Sequence, residues 1–334
     1  MLKTLKQLLP VTPSVSGRES GIAAIIAEMM LDIVDEVALD PMGNLICRKA
    51  GSNPDAEKVM LVAHMDEIGF ITTFIEDNGY LRVAPVGGIS TTAAVYGEVV
   101  FENGLRGVFV PEASLSGSDP IKCEKCYIDI GVSSRREAEK RVKIGDCCAL
   151  VPHLTRLAGK RVVGRPLDNR VGCACLIEIA RRMSAPVQDI YYVFSVQEEV
   201  GCRGARPAAF GIMPDLALNF DITATGDEQG ATPMAVKLGK GVAVKVKDSS
   251  VICNQELVSE LLELAKEKKI AAQIEILTFG GTDTSAVQMT GYGCRAGALS
   301  LPCRYIHSGV EMVDMADLEA AVALTVAYLG GEQV

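Results

Sequence analysis

The stretch Ile190-Tyr191-Tyr192-Val193-Phe194-Ser195-Val196 runs directly into Gln197-Glu198-Glu199. β-branched and aromatic residues without polar alternation read as a strand covered on both faces, the kind found inside α/β sheets. Glu198 and Glu199 at the end of such a strand each lose hydration and repel the other. One of them tends to take up a proton unless a cation stands nearby. The chain has three histidines, and two of them, His64 and His307, occupy similarly placed segments. Together these residues point to a metal site at the carboxyl edge of a sheet.

The surrounding sequence extends this pattern. Ser16 and Glu19 form a capping-box pattern ahead of Ile22, Ile25, Ile26 and Met29, which share one helical face. Val59-Met60-Leu61-Val62-Ala63 reads as a second buried strand leading into His64-Met65-Asp66. After Phe70 the texture changes to short apolar runs separated by Asp77-Asn78-Gly79, Gly87-Gly88, Asn103-Gly104 and Gly145-Asp146, with one charged helix from Ser134 to Val142. This spacing predicts a small all-β unit over residues 70–162. Regular alternation resumes at Gly164, with a helix from Val171 to Met183 and a strand Leu216–Asp221. Asn254 opens a helix carrying Leu257, Leu261 and Leu264, Ile274–Phe279 reads as strand, and Asp314 opens the last helix, which stops at Gly330-Gly331. The predicted fold is therefore a mixed α/β sheet flanked by helices, formed by residues 1–69 and 163–334, with a small β domain inserted.

A length of 334 residues makes two domains the expectation, and 49% hydrophobic with 22% charged residues is the composition of a folded chain. A formal net charge of −9 argues against a nucleic-acid partner. Met1–Leu9 alternates lysine with leucine and lacks the apolar core of a signal peptide, and no apolar run reaches the roughly 18 residues of a membrane span. Eleven cysteines without a secretory signal fit free thiols in a reducing compartment, so a cytoplasmic location is expected. Cys123-x-x-Cys126 is the one CxxC pair and has no second pair at zinc-finger spacing; Cys147-Cys148 and Cys173-x-Cys175 read as small core residues.

The candidate ligands each have two readings. His64 and Asp66 form either a metal ligand with the carboxylate that orients its ring, or an ordinary surface pair. Asp168, between Gly164-Arg165-Pro166-Leu167 and a helix, is an N-cap or a ligand. Asp221 ends a strand as Glu198 nearly does, and is preferred to Asp227, which lies deeper in a loop. His307 sits in a loop that could simply be solvated, and His153 has no acidic neighbour and is left out. Agreement among them carries the argument. His64, Asp168, Glu199, Asp221 and His307 all lie at or just beyond element ends, where open α/β sheets gather ligands. Two imidazoles with three carboxylates suit zinc, cobalt or manganese better than magnesium or a thiolate site.

Val62-Ala63-His64-Met65-Asp66-Glu67-Ile68-Gly69-Phe70, Gly164-Arg165-Pro166-Leu167-Asp168-Asn169-Arg170, Gln197-Glu198-Glu199-Val200-Gly201-Cys202-Arg203-Gly204-Ala205, Phe279-Gly280-Gly281-Thr282-Asp283-Thr284-Ser285-Ala286 and Arg304-Tyr305-Ile306-His307-Ser308 occur in order along the chain. They resemble the dinuclear metallo-aminopeptidases of the tetrahedral aminopeptidase, glutamyl aminopeptidase and endoglucanase M-like type. The resemblance implies a zinc-peptidase-like catalytic domain with a β-barrel-like insert serving assembly and substrate access, two divalent ions per subunit, peptide substrates, and self-association to dimers and a dodecamer. It implies that His64 and Asp221 hold one ion, Glu199 and His307 the other, and that Asp168 bridges them. Glu198 is then the general base and Asp66 the partner of His64. Two departures are visible. Gly107–Glu112 lacks the family's Lys-Pro-Pro-His stretch, and Gly309 replaces a frequent proline.

Other chemistries compete with this reading. The same two-metal arrangement would serve a deacylase or amidohydrolase on an N-blocked or non-peptide substrate. Paired carboxylates hydrolyse glycosides without metal, which leaves the two histidines unexplained. A catalytically inactive assembly scaffold would be free to lose the base or a ligand, and all six positions are filled here.

Overall fold

In the computed structural model, which describes residues 1–9, 13–113 and 121–331, the opening strand spans Asp189–Ser195. It lies between Leu45–Lys49, which it pairs antiparallel, and Lys58–His64, which it pairs parallel. The parallel run continues through Leu216–Thr223 to Arg295–Arg304. Among the described residues the whole forms an eleven-stranded mixed sheet. Side chains alternate along the central strands, and both faces of these are covered. Val59, Leu61 and Ala63 enter one core, with Leu5, Ile22, Val171, Leu176, Leu257 and Leu318 from the helices on that side. Met60 and Val62 enter the other, with Ala205, Ala209 and Ile212 of the helix Ala205–Ile212 and with Val287. Double coverage explains why these strands read as unbroken apolar runs.

Register positions the functional residues. Ser195 lies opposite His64. Asn219 lies opposite Val62, so Asp221 and His64, each two residues further on, come level at the same carboxyl edge. Glu198 and Glu199 follow just beyond it.

The texture change after Phe70 corresponds to a closed barrel of the strands Gly69–Ile75, Leu81–Val86, Cys126–Asp129, Arg106–Pro111, Gly97–Phe101 and Cys147–Leu150. Its own core includes Phe70 stacked on Phe109, with ring centroids 4.4 Å apart. The barrel strands end at Leu150, short of the expected boundary at 162. His153–Arg156 pairs with Arg161–Arg165, which pairs with Glu311–Asp314 and so extends the large sheet. Short strands look alike in either sheet, and the partner that decides between them is remote in sequence: Val163 pairs with Met312.

Two local expectations are corrected. Ser16 and Glu19 form no capping box; the helix spans Ser20–Met30 with no side-chain cap. Instead Ser16 Oγ donates to Asp66 Oδ2 at 2.6 Å, and Glu19 Oε1 accepts from the Gly17 and Gln197 amides at 2.7 and 3.1 Å. A tertiary partner has displaced the local one. The charged helix shortens to Arg135–Ala138. Asn254 and Asp314 do cap, accepting from the amides of Leu257 and Ala316. Cys123, Cys126, Cys147, Cys148, Cys173 and Cys175 are all buried. Burial raises the Cys123 and Cys126 thiols to about 11, so both stay protonated. No helix among the described residues is long and apolar enough to cross a membrane.

Phe109→Ala removes one ring of the barrel's stacked pair and is expected to destabilise the protein by about 3–5 kcal/mol, lowering the thermal midpoint. Phe74→Ala, at a position 47% exposed, should change stability by no more than about 1 kcal/mol.

Candidate functional site

His64 closes its strand with an almost fully buried ring. Its Nδ1 faces Asp66, 3.2 Å from the main-chain oxygen and 3.4 Å from Oδ1. Its Nε2 points the other way, 3.2 Å from Asp168 Oδ1, 3.5 Å from Asp221 Oδ1 and 4.0 Å from Glu198 Oε2. Asp66 does more than orient the ring. Oδ1 accepts the Glu198 amide at 3.0 Å and Oδ2 the Glu199 amide at 3.2 Å, so one buried carboxylate docks the whole glutamate pair against the strand end.

Asp168 is not a helix cap. Asn169 has that task, its Oδ1 accepting from the Gly172 amide at 3.0 Å, and the Asp168 carboxylate is left for the site. Its second oxygen, Oδ2, lies 3.2 Å from His307 Nε2, which is 3.3 Å from Glu199 Oε2. Two trios result, His64–Asp168–Asp221 and Asp168–Glu199–His307. In each, one candidate ligand atom per residue lies within 4.8 Å of the others. Asp227 pairs with Arg304 at 2.7 Å instead of joining either trio, and exposed His153 stands outside them on its edge strand.

Several site residues carried no signal in the sequence reading. Glu311 is fully buried. Its Oε2 accepts from the Leu167 and Asp168 amides at 2.6 and 3.1 Å, and its Oε1 accepts from the His307 amide at 3.2 Å. One side chain thus fixes the backbone of two candidate ligands. It also holds His307 at φ 59°, a left-handed conformation that costs about 1–3 kcal/mol in most non-glycine residues. Arg165 donates to the Ile68 and Ser308 carbonyls at 2.8 and 3.1 Å, and Glu67 lies 3.8 Å from it and 3.7 Å from Arg170. Arg165 and Arg170 lie within the segment Gly164–Arg170, but their partners are more than 90 residues away in sequence.

The barrel reaches this site through Gly87-Gly88. The Gly88 carbonyl accepts from His307 Nδ1 at 3.0 Å. A Cβ on Gly88 would come within 2.9 Å of that nitrogen, and one on Gly87 within 3.1 Å of Glu199 Cβ. Only glycine permits this approach. Opposite, the glycine-rich turn Gly280-Gly281-Thr282 joins Ile222, Leu277, Phe279 and Ile306 around a cavity of about 570 Å³ that opens onto the trios. Lys245 also lines it, its fully buried ammonium 2.7 Å from Glu275 Oε1. Nothing in the apolar strand Val242–Lys247 signalled that pair.

Electrostatics mark the cluster as short of positive charge. Burial disfavours the imidazolium of His64, yet Asp221, Asp168 and Asp66 outweigh it and push its pKa well above the usual value. Burial likewise opposes charging of His307, but Asp168 and Glu199 raise it to about 11. Asp168 pays for burial with the opposite result, since His307 and His64 hold its carboxyl below the ordinary carboxylate range. Burial raises Glu198, helped by Asp221, Asp283 and Glu199. It raises Glu199 too, with Asp168 adding to the effect, and Asp221 moves the same way.

A divalent cation suits these residues. Imidazole nitrogens and carboxylate oxygens converge without sulfur in either trio. Buried Glu199 Oε1 and Asp168 Oδ1 also lack a directed hydrogen-bond partner among the described residues, as ligand atoms do before a cation is supplied.

Comparison with known proteins agrees with this geometry. A relative from Acetivibrio thermocellus is 44% identical over 326 residues, covering 98% of this chain and 97% of its own. The solved structure of aminopeptidase APDkam598 from the archaeon Desulfurococcus kamchatkensis superposes with a TM-score of 0.94 at 34% identity, covering 98% of this chain and 93% of that one. The Pyrococcus horikoshii TET1 peptidase, described as assembling into a tetrahedron or a large octahedral shell, gives 0.87 at 35% identity over 98% of each chain. The sequence model of the M42 glutamyl aminopeptidases matches residues 43–324, and this chain belongs to that family of metal-dependent aminopeptidases.

Proposed function

We propose that the two trios are the two metal positions of this aminopeptidase, with His64 and Asp221 holding one ion, Glu199 and His307 the other, and Asp168 shared. The carrying observation is the Asp168 carboxylate, whose two oxygens each lie 3.2 Å from a different imidazole nitrogen. Zinc or cobalt fits the mixed nitrogen and oxygen donors best, and manganese is compatible. When bound, such ions polarise the scissile carbonyl and acidify water.

The chain's own residues then divide the work. Glu198 belongs to neither trio, yet its Oε2 lies 4.0 Å from His64 Nε2. It takes the proton from the attacking water and returns it to the departing amine, a role typically worth about 10²–10⁴-fold in rate. A carboxyl raised by burial is suited to both halves of that exchange. Asp66 keeps the His64 ring and the Glu198 backbone in register. The carboxylate-rich end of the cavity attracts a free α-ammonium group, and the apolar wall of Ile222, Leu277, Phe279 and Ile306 receives the neighbouring side chain. A blocked N-terminus lacks the charge that end recognises. Peptides with free N-termini are thus the preferred substrates over N-acylated ones.

The barrel, contributing Gly87-Gly88 to the site rim, serves substrate access and assembly. The likeness to the TET1 peptidase, also solved as a dodecamer, supports self-association of this chain into a dodecamer, with dimers as its expected building block. Free thiols throughout support a cytoplasmic location.

The test is turnover of aminoacyl amides by metal-stripped protein reconstituted with zinc, cobalt or manganese; activity should return with two equivalents, and N-acetylated substrates should remain uncut. Glu198→Gln should keep its metal content by elemental analysis while turnover falls by at least about 10²-fold; retained turnover removes Glu198 from the base role. Glu199→Ala should lose metal after desalting, and normal stoichiometry would exchange the roles of the pair. Asp66→Ala should weaken metal binding by about 10–100-fold, read by competition with a chelating dye.

A further inference from the structure

Glu198 has a second set of neighbours. While Oε2 faces His64, Oε1 faces the other way and accepts from the Cys202 thiol at 3.5 Å. Asp283 completes a third group, and ligand atoms of Glu198, Cys202 and Asp283 lie within 4.8 Å of one another. Asp283 is fully buried. Ser195 Oγ donates to its Oδ2 at 2.5 Å, and Oδ1 has no hydrogen-bond partner among the described residues. Buried Asp283 thus keeps one carboxylate oxygen without a partner in a group that also offers a thiol and a second carboxylate, and a cation would satisfy it. The spacing agrees. Zinc–sulfur and zinc–oxygen bonds of about 2.3 and 2.1 Å at a tetrahedral angle place the two ligands about 3.6 Å apart. Cys202 is half-buried and lines the cavity, so an ion can reach it from solvent.

We propose that Glu198, Cys202 and Asp283 form a third, inhibitory site for a thiophilic divalent cation, zinc or cobalt, distinct from the two trios and sharing only Glu198 with the reaction. Coordination releases the thiol proton to solvent and engages Oε1 of Glu198. A carboxylate held by a cation no longer accepts a proton from water, so the ion switches off the base without displacing a ligand of either trio. The sulfur sets the preference, because thiolate selects zinc or cobalt over magnesium and calcium. The inhibitory effect rests on Glu198 being the general base; the existence of the site does not.

The experiment uses protein loaded with two equivalents of cobalt and adds more cobalt while following absorbance and turnover. Neither trio contains sulfur, so a thiolate-to-cobalt charge-transfer band in the near ultraviolet that depends on Cys202 reports the third site. The band should grow with the third equivalent as turnover falls. Cys202→Ser and Cys202→Ala, each referred to its own turnover at two equivalents, should show no band and require at least about ten-fold more cobalt for inhibition. Absence of the band in the unaltered protein, or undiminished inhibition in both variants, overturns the site. A band that grows while turnover is unchanged overturns the inhibition and counts against Glu198 as base, a role that Glu198→Gln tests separately.

Discussion

Like charges held together away from water are the constraint on which this structure depends. Asp66, Asp168, Glu198, Glu199, Asp221 and Asp283 converge at one sheet edge, and the three that belong to the two trios, Asp168, Glu199 and Asp221, meet there the imidazoles of His64 and His307. Two unit charges 4 Å apart interact by about 4 kcal/mol even at an effective dielectric constant of 20. Several such repulsions, together with the desolvation of each group, exceed what a loop could hold by its own conformational preferences. The cluster is sustained by positive charge on one side and rigid backbone on the other. Each imidazole is already shared, His307 by Asp168 and Glu199 and His64 by Asp66, Asp168 and Asp221, which leaves room for further cations.

Rigidity comes from carboxylates that bind no ligand of their own. Asp66 accepts the amides of Glu198 and Glu199, and Glu311 accepts those of Leu167, Asp168 and His307. Burial raises Glu311 to about 7, and Asp168 adds to the shift, while Arg165 and the two amides at residues 167 and 168 oppose it. Backbone amides suit this purpose because they donate without adding mobile charge. The site therefore has two layers: acids and imidazoles facing the cavity, and behind them acids that fix where the first layer's backbone runs.

This division governs what could be read from sequence. The strand Asp189–Ser195 and the strand Lys58–His64 were legible because double coverage leaves a local trace, an apolar run of strand length. His64, Asp168, Asp221 and His307 were legible because element ends leave one too. The second layer leaves none. Glu311 reaches Asp168 across 143 positions, and Arg170 reaches Met65 across 105. Local rules even misdirect, as with Ser16. Its spacing to Glu19 matched a capping box, but the hydroxyl serves Asp66, 50 residues away. The strands after Leu150 failed for the same reason, since a strand's sheet is chosen by its partner.

Adjacent residues of one type can thus have unlike chemistry. The Glu198 and Glu199 amides are fixed on the two oxygens of a single carboxylate, Asp66, and their side chains must then diverge. Glu199 turns to His307, and Glu198 turns between His64 and Cys202. The Cys202 amide donates to the Glu198 carbonyl at 2.9 Å, a turn that brings a residue four positions on against its own predecessor, and Gln197 and Cys202 flank it with left-handed φ of 56° and 53°. That turn brings the Cys202 thiol to Glu198 Oε1. The backbone conformation that separates Glu198 from Glu199 also supplies Glu198 with a neighbour able to restrain it.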